Sequence, residues 1–111
     1  MISVLAFITT LPGHRDEVLE AYRANIAPVR SENGCIEYMA NVDPVNSDET
    51  PSALGPDSFV IIEKWESFAC LQSHRASPHM ASYSTKVKTL IARRVVHVLT
   101  SADEIAGAET A

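Results

Sequence analysis

The chain has 111 residues, 46% of them hydrophobic, with nine Lys and Arg against fourteen Asp and Glu for a net charge of −5. That length suits one domain able to bury a core without disulfide or metal staples, and with Arg93-Arg94 the sole adjacent basic pair, a nucleic-acid surface is not expected. No apolar run nears the ~18 residues of a membrane span, and no basic stretch leads an apolar one at the start, so the expectation is a cytoplasmic protein without membrane contact.

Ile2 to Thr10 is β-branched and apolar and reads as a buried strand. Pro12-Gly13 ends it, and a helix follows with Asp16 and Glu17 in its first turn, where the dipole favours acids. Val18, Leu19, Tyr22, Ile26 and Val29 recur at helical spacing; Pro28 should loosen the last turns, and Asn33-Gly34 stops the helix. Cys35 to Asp43 reads as a second strand and Phe59 to Glu66 as a third. Between them Pro44 to Asp57, with three prolines and a glycine, predicts a long loop of the kind that often covers a binding site. Ser67 opens a short helix, and Ser77-Pro78 starts another, with Ser as cap and Pro at the first helical position. Arg94 to Thr100 makes a fourth strand. Residues 1–100 form the expected domain, and Ser101 to Ala111 an acidic tail that is flexible or draped on a partner. Cys35 and Cys70 form no C-x-x-C unit and read as two buried, reduced thiols.

The order β-α-β-β-α-β is that of an α+β, ferredoxin-like antiparallel sheet with its helices on one face. Its strands are apolar on both faces: Leu5 and Phe7 accompany Val4 and Ala6, and Val60 and Ile62 accompany Phe59 and Ile61. A sheet with one wet face should alternate. The helices can cover only one side, so a second copy is expected on the other, giving a homodimeric α+β barrel. A charge at Ile61 should then break association.

Glu63 to His79, E-K-W-E-S-F-A-C-L-Q-S-H-R-A-S-P-H, gathers a carboxylate, the only Trp and two of four His at one strand-to-helix corner. The E-x-W at Glu63 and Trp65, the H-x-x-S-P-H from His74 to His79, and the G-C-I-E-Y entry at Gly34 to Tyr38 resemble the antibiotic biosynthesis monooxygenase superfamily, over about residues 1–100. The nearest likeness is to its bacterial quinol-monooxygenase-like branch. The resemblance implies a dimeric α+β barrel that oxidises an electron-rich phenol or quinol with dioxygen, without metal or flavin. Haem-degrading relatives carry an asparagine, a tryptophan and a histidine where this chain has Ala6, His74 and Ser84, which disfavours haem degradation. Polyketide-oxidising relatives place an asparagine, a tryptophan and a histidine where it has Ile61, Trp65 and Asn41, so only the tryptophan matches.

Such chemistry needs a base, a dry pocket and donors for the substrate anion. His74 is the candidate base, since imidazole exchanges protons near neutral pH, and at a pocket corner it should be replaceable without loss of stability. Glu63 would orient it as the second catalytic group. Trp65 is the candidate stacking platform, with His79, Asn41 and Tyr83 as polar substrate-binding groups. Each also has a structural reading: a helix cap, a salt bridge, a packed core ring. His74 and His79 are five apart around Pro78 with no third ligand nearby in sequence, so no metal site is expected. No Gly-rich phosphate loop occurs, and no cofactor is expected. The alternatives are a noncatalytic small-molecule-binding dimer and an isomerase of a small hydroxyketone.

Overall fold

The computed structural model describes residues 1–104. Strand β1 (Ile2–Thr10) leads to helix α1 (Arg15–Arg30), then β2 (Cys35–Asn41), β3 (Ser58–Trp65), α2 (Phe68–Arg75), α3 (Pro78–Val87) and β4 (Ile91–Leu99). The strands pair antiparallel in the order β2-β3-β1-β4, the expected α+β, ferredoxin-like arrangement. Helix α1 continues through Pro28 to Arg30. The carbonyl that Pro28 leaves unbonded belongs to Ala24; both residues are exposed, so water can take the place of the missing N–H. Strand β4 starts at Ile91, earlier than its apolar run suggests, because Arg93 and Arg94 pair with Thr9 and Ile8 while their exposed side chains carry the charge into solvent.

Register divides the strand residues between two faces. Ala6 lies opposite Ile61 and Val96, and Phe7 opposite Val60 and Val95. Val4, Ala6, Ile8, Phe59 and Ile61 are buried in one core with Val18, Leu19, Tyr22 and Val29 of α1 and Leu71 of α2. The other face bears Leu5, Phe7, Val60, Ile62, Met39 and Val95, and no helix of the described chain covers it; Phe7 remains 37% and Met39 45% exposed. Ile61 therefore belongs to the helix side, and the residues able to meet a second copy are its neighbours Val60 and Ile62. Strand parity alone decides this.

The segment 44–57 contains one 3-10 turn, Ser47–Glu49. The Asp43 carboxylate accepts the Leu54 and Gly55 N–H groups, each at 2.8 Å, and closes the loop on itself. Ala53 and Leu54 border a hollow with Phe7, Arg93 and His97, on the open side of the sheet. The loop thus does not cover the helix-side cavity described below. Thr100 to Glu104 turns back onto the chain start, where the Glu104 carboxylate lies 3.5 Å from the Met1 ammonium; the rest of the expected tail lies outside the described residues. Cys35 and Cys70 are free and half-buried.

Candidate active site

Strand β3 sends Glu63 and Trp65, two residues apart, to the helix side. Ser67 then caps α2, its Oγ accepting the Cys70 N–H at 3.2 Å, and α2 turns Leu71 and His74 inward. Trp65 is fully buried and donates its indole N–H to Glu63 Oε1 at 3.0 Å. Its ring lies against the His74 imidazole, with centroids 4.6 Å apart and planes inclined by 34°. His74 Nδ1 is 2.7 Å from Glu32 Oε2. A carboxylate can only accept there, so Nδ1 carries a proton toward Glu32, while Nε2 faces Glu63 Oε1, 3.7 Å away. A chain Glu32–His74–Glu63 results, with Trp65 bracing its inner end.

Glu32 is the residue that sequence reading missed. It stands just past α1, 42 residues from His74, and no local motif marks it. Its approach depends on Gly34, whose φ of +80° suits glycine and whose missing Cβ leaves room for Cys70 of α2. The Glu66 N–H donates to Gly34 O at 2.9 Å, tying the α1–β2 turn to the β3–α2 turn. His79 Nε2 reaches the same Glu32 Oε2 at 3.0 Å, because Ser77 bends the α2–α3 corner by donating its hydroxyl to His74 O at 2.7 Å. Glu32, His74 and His79 thereby offer three ligand atoms within 4.8 Å of one another, the third ligand that sequence spacing lacked. These residues could hold a metal ion, although their 2.7 and 3.0 Å contacts are hydrogen-bond lengths that an ion at roughly 2.0–2.2 Å from each ligand would have to part.

A cavity of about 580 Å³ opens between α3 and the sheet. Its polar residues include Glu63, Tyr38 and Tyr83 inside and Arg75, Lys88 and Arg94, which are exposed; Ile61, Met80 and Val96 are among its apolar ones. Burial pushes the Glu63 carboxyl above the usual carboxylate range, against the opposing pull of the Trp65 N–H, His74, Arg75 and Arg94. Burial raises the Tyr38 hydroxyl well beyond its ordinary value and pushes Tyr83 up to about 12, so both remain O–H donors. Tyr38 Oη is buried without a hydrogen-bond partner among the described residues. The Asn25 amide is near enough to influence it but lies outside hydrogen-bond geometry and donates instead to Met80 Sδ at 3.2 Å.

Glu63 and Tyr83 face the cavity, and Tyr38 joins them. His74 is 2% exposed and stands behind Glu63, not on the cavity wall. Trp65 is placed differently from a stacking platform: buried on all sides, its ring contacts His74. His79 turns to Glu32 instead of the cavity. Asn41 lies opposite Val60, on the sheet face away from the helices, and donates to Met39 O at 3.1 Å. The buried or half-buried polar groups lining this cavity are therefore one carboxylate and two phenols, with the imidazole one layer behind and Ser84, Arg75, Lys88 and Arg94 as its exposed polar residues.

Comparison with known proteins agrees with the motifs. Residues 1–86 match the family model described as antibiotic biosynthesis monooxygenase. The chain is 39% identical over 101 residues to "Probable quinol monooxygenase YgiN" of Escherichia coli (strain K12), covering 89% of this chain and 96% of that protein. Among solved structures it is similar to Rv0793 from Mycobacterium tuberculosis, with a TM-score of 0.75, 28% identity and coverage of 92% of this chain and 95% of that one. PA3566 from Pseudomonas aeruginosa gives 0.74 and 28%, covering 90% and 92%.

Proposed function

The chain belongs to the antibiotic biosynthesis monooxygenase family, and on that premise we propose that it oxidises a small aromatic quinol or phenol with dioxygen in the cavity between α3 and the sheet. The observation that carries this reading is a buried carboxylate, Glu63, held by the Trp65 N–H, backed by His74 and opening onto a largely apolar cavity. A carboxyl raised by burial is a better proton acceptor than an exposed one, and it sits where a ring hydroxyl would enter.

Glu63 takes the proton from that hydroxyl, and His74 Nε2 behind it supplies the onward acceptor. Tyr38 and Tyr83 donate to the oxygen that has become negative. The resulting phenolate is a strong enough reductant to react with dioxygen directly, so no metal, flavin or haem is required. For a quinol with a free ring position, one oxygen atom replaces that hydrogen and the other leaves as water, giving a hydroxyquinone. All four electrons come from the substrate. Glu32 and His79 act by positioning His74.

Oxygen uptake with a panel of quinols and naphthols tests the proposal: wild type should consume oxygen and Glu63→Gln should not. Substrate turnover or proton exchange without oxygen uptake would favour the isomerase reading, and binding without turnover the noncatalytic one. The open sheet face, with Phe7, Val60 and Ile62, is read as the homodimer contact. The cytoplasm is the compartment that suits two free thiols. No helix among the described residues is long and apolar enough to cross a membrane.

A further inference from the structure

The proposed active-site cavity carries more positive charge than proton transfer requires. Arg75 at the end of α2, Lys88 just beyond α3 and Arg94 of β4 all line it, and all three side chains are exposed. None makes an ion pair or side-chain hydrogen bond to another described residue. Arg15 and Arg30, by contrast, bond to backbone carbonyls, and Arg23 and Lys64 pair with glutamates. Lys86 and Arg93 are likewise without such a bond, but neither lines this cavity, so three of the chain's nine Lys and Arg gather around it unpaired. Glu63 is the only carboxylate on the wall among the described residues; Arg75 and Arg94 are near enough to pull on it, but it forms no ion pair with any of the three, and one carboxylate cannot balance three cations.

A second feature points the same way. The Tyr38 hydroxyl lacks a partner among the described residues although the residue is 1% exposed. A buried polar group of this kind is costly unless something bonds it. The cavity lining therefore combines a buried unmatched donor and Glu63 with the apolar Ile61, Met80 and Val96 and three exposed cations.

We propose, resting on the reading of this cavity as the active site, that its substrate is a hydroxylated aromatic carboxylate. The ring lies on the apolar residues, and the ring hydroxyl meets Glu63 and Tyr38. The carboxylate is held by Arg75, Lys88 and Arg94. Guanidinium groups suit a planar carboxylate because they offer paired N–H donors.

Calorimetric titration of the full chain with 6-hydroxy-2-naphthoate, its neutral carboxamide and 2-naphthol tests this. The carboxylate should bind about tenfold or more tighter than the carboxamide, an advantage that shrinks in high salt. The triple variant Arg75→Gln, Lys88→Gln, Arg94→Gln should abolish that advantage while keeping 2-naphthol binding; Lys86→Gln, an exposed α3 cation off the cavity, should keep both. Tyr38→Phe should weaken all three probes alike. If the neutral probes bind as tightly as the carboxylate, the anion inference fails and the aromatic cavity stands. If the carboxylate's advantage survives the triple variant or falls equally in Lys86→Gln, bulk charge is responsible and the inference also fails. If no probe binds, both readings fall.

Discussion

At the scale of single residues, Glu63 holds the conflict between stability and chemistry. Burial raises its carboxyl, so the folded form keeps its proton to higher pH than the unfolded chain does. Such a group favours the fold below its unfolded value, near 4.3 for a free glutamate, and that contribution is lost as pH rises through the folded value. The groups facing it (the Trp65 N–H, His74, Arg75 and Arg94) reduce this loss without reversing it. Glu63→Gln keeps the acceptor for Trp65 and removes the charge. It should raise the melting temperature at pH 8, with a smaller gain at pH 4, and lower quinol turnover about 10²–10⁴-fold; scanning calorimetry and oxygen uptake read the two effects. His74 behaves differently from a replaceable pocket-corner base. Stacked on Trp65 and bonded to Glu32, it leaves a hole and an unmatched carboxylate when cut back. His74→Ala should cost about 2–5 kcal/mol in a denaturant titration. Glu32→Gln, which weakens the hold on His74 without emptying its site, separates positioning from packing: the pH–rate profile should shift while most stability remains.

At the scale of elements, the site depends on two turns touching. Gly34 ends the α1–β2 connection at a φ of +80°, and a methyl there would lie 2.9 Å from Cys70 Cβ and overlap its sulfur. Gly34→Ala should lose roughly 1–3 kcal/mol from backbone strain alone, and should lower turnover because Glu32 moves with the turn. Adding Cys70→Ala should recover part of the loss, as a double-mutant cycle would measure. A full loss unrelieved by the second change would mean that the contact with α2 is unimportant. The loop 44–57 is a different case. Its length suits either a cover for the site or a surface insertion, and Asp43 ties it to Leu54 and Gly55 on the open side of the sheet. Within one chain the helix-side cavity is bounded by α3, not by this loop.

For the whole molecule, the uncovered sheet face sets the expected assembly. Phe7 sits between Val60 and Val95 in that face, and no described residue of its own chain buries it fully. Sedimentation velocity at micromolar concentration should show a dimer, and Phe7→Asp should give a folded monomer, since the charge would be stranded in an apolar contact. A stable wild-type monomer would remove the argument. Ile61→Asp, by contrast, should damage folding, because Ile61 points into the helix-side core.

The α+β, ferredoxin-like fold was legible in local signals of the chain: the switch of apolar spacing between strand and helix, the Pro and Gly stops, and the Ser67 and Ser77 starts. The sequence also singled out the Glu63–His79 corner, because unusual side chains cluster there within seventeen residues. Those are local signals, and local physical chemistry reads them. Tertiary structure decided the rest. The side of the sheet taken by Ile61 or Asn41 depends on strand register, which a shift of one residue would reverse. Glu32 joins His74 only because two turns remote in sequence pack together at Gly34. Whether Glu63 or His74 lines the cavity depends on packing depth, which no spacing rule encodes.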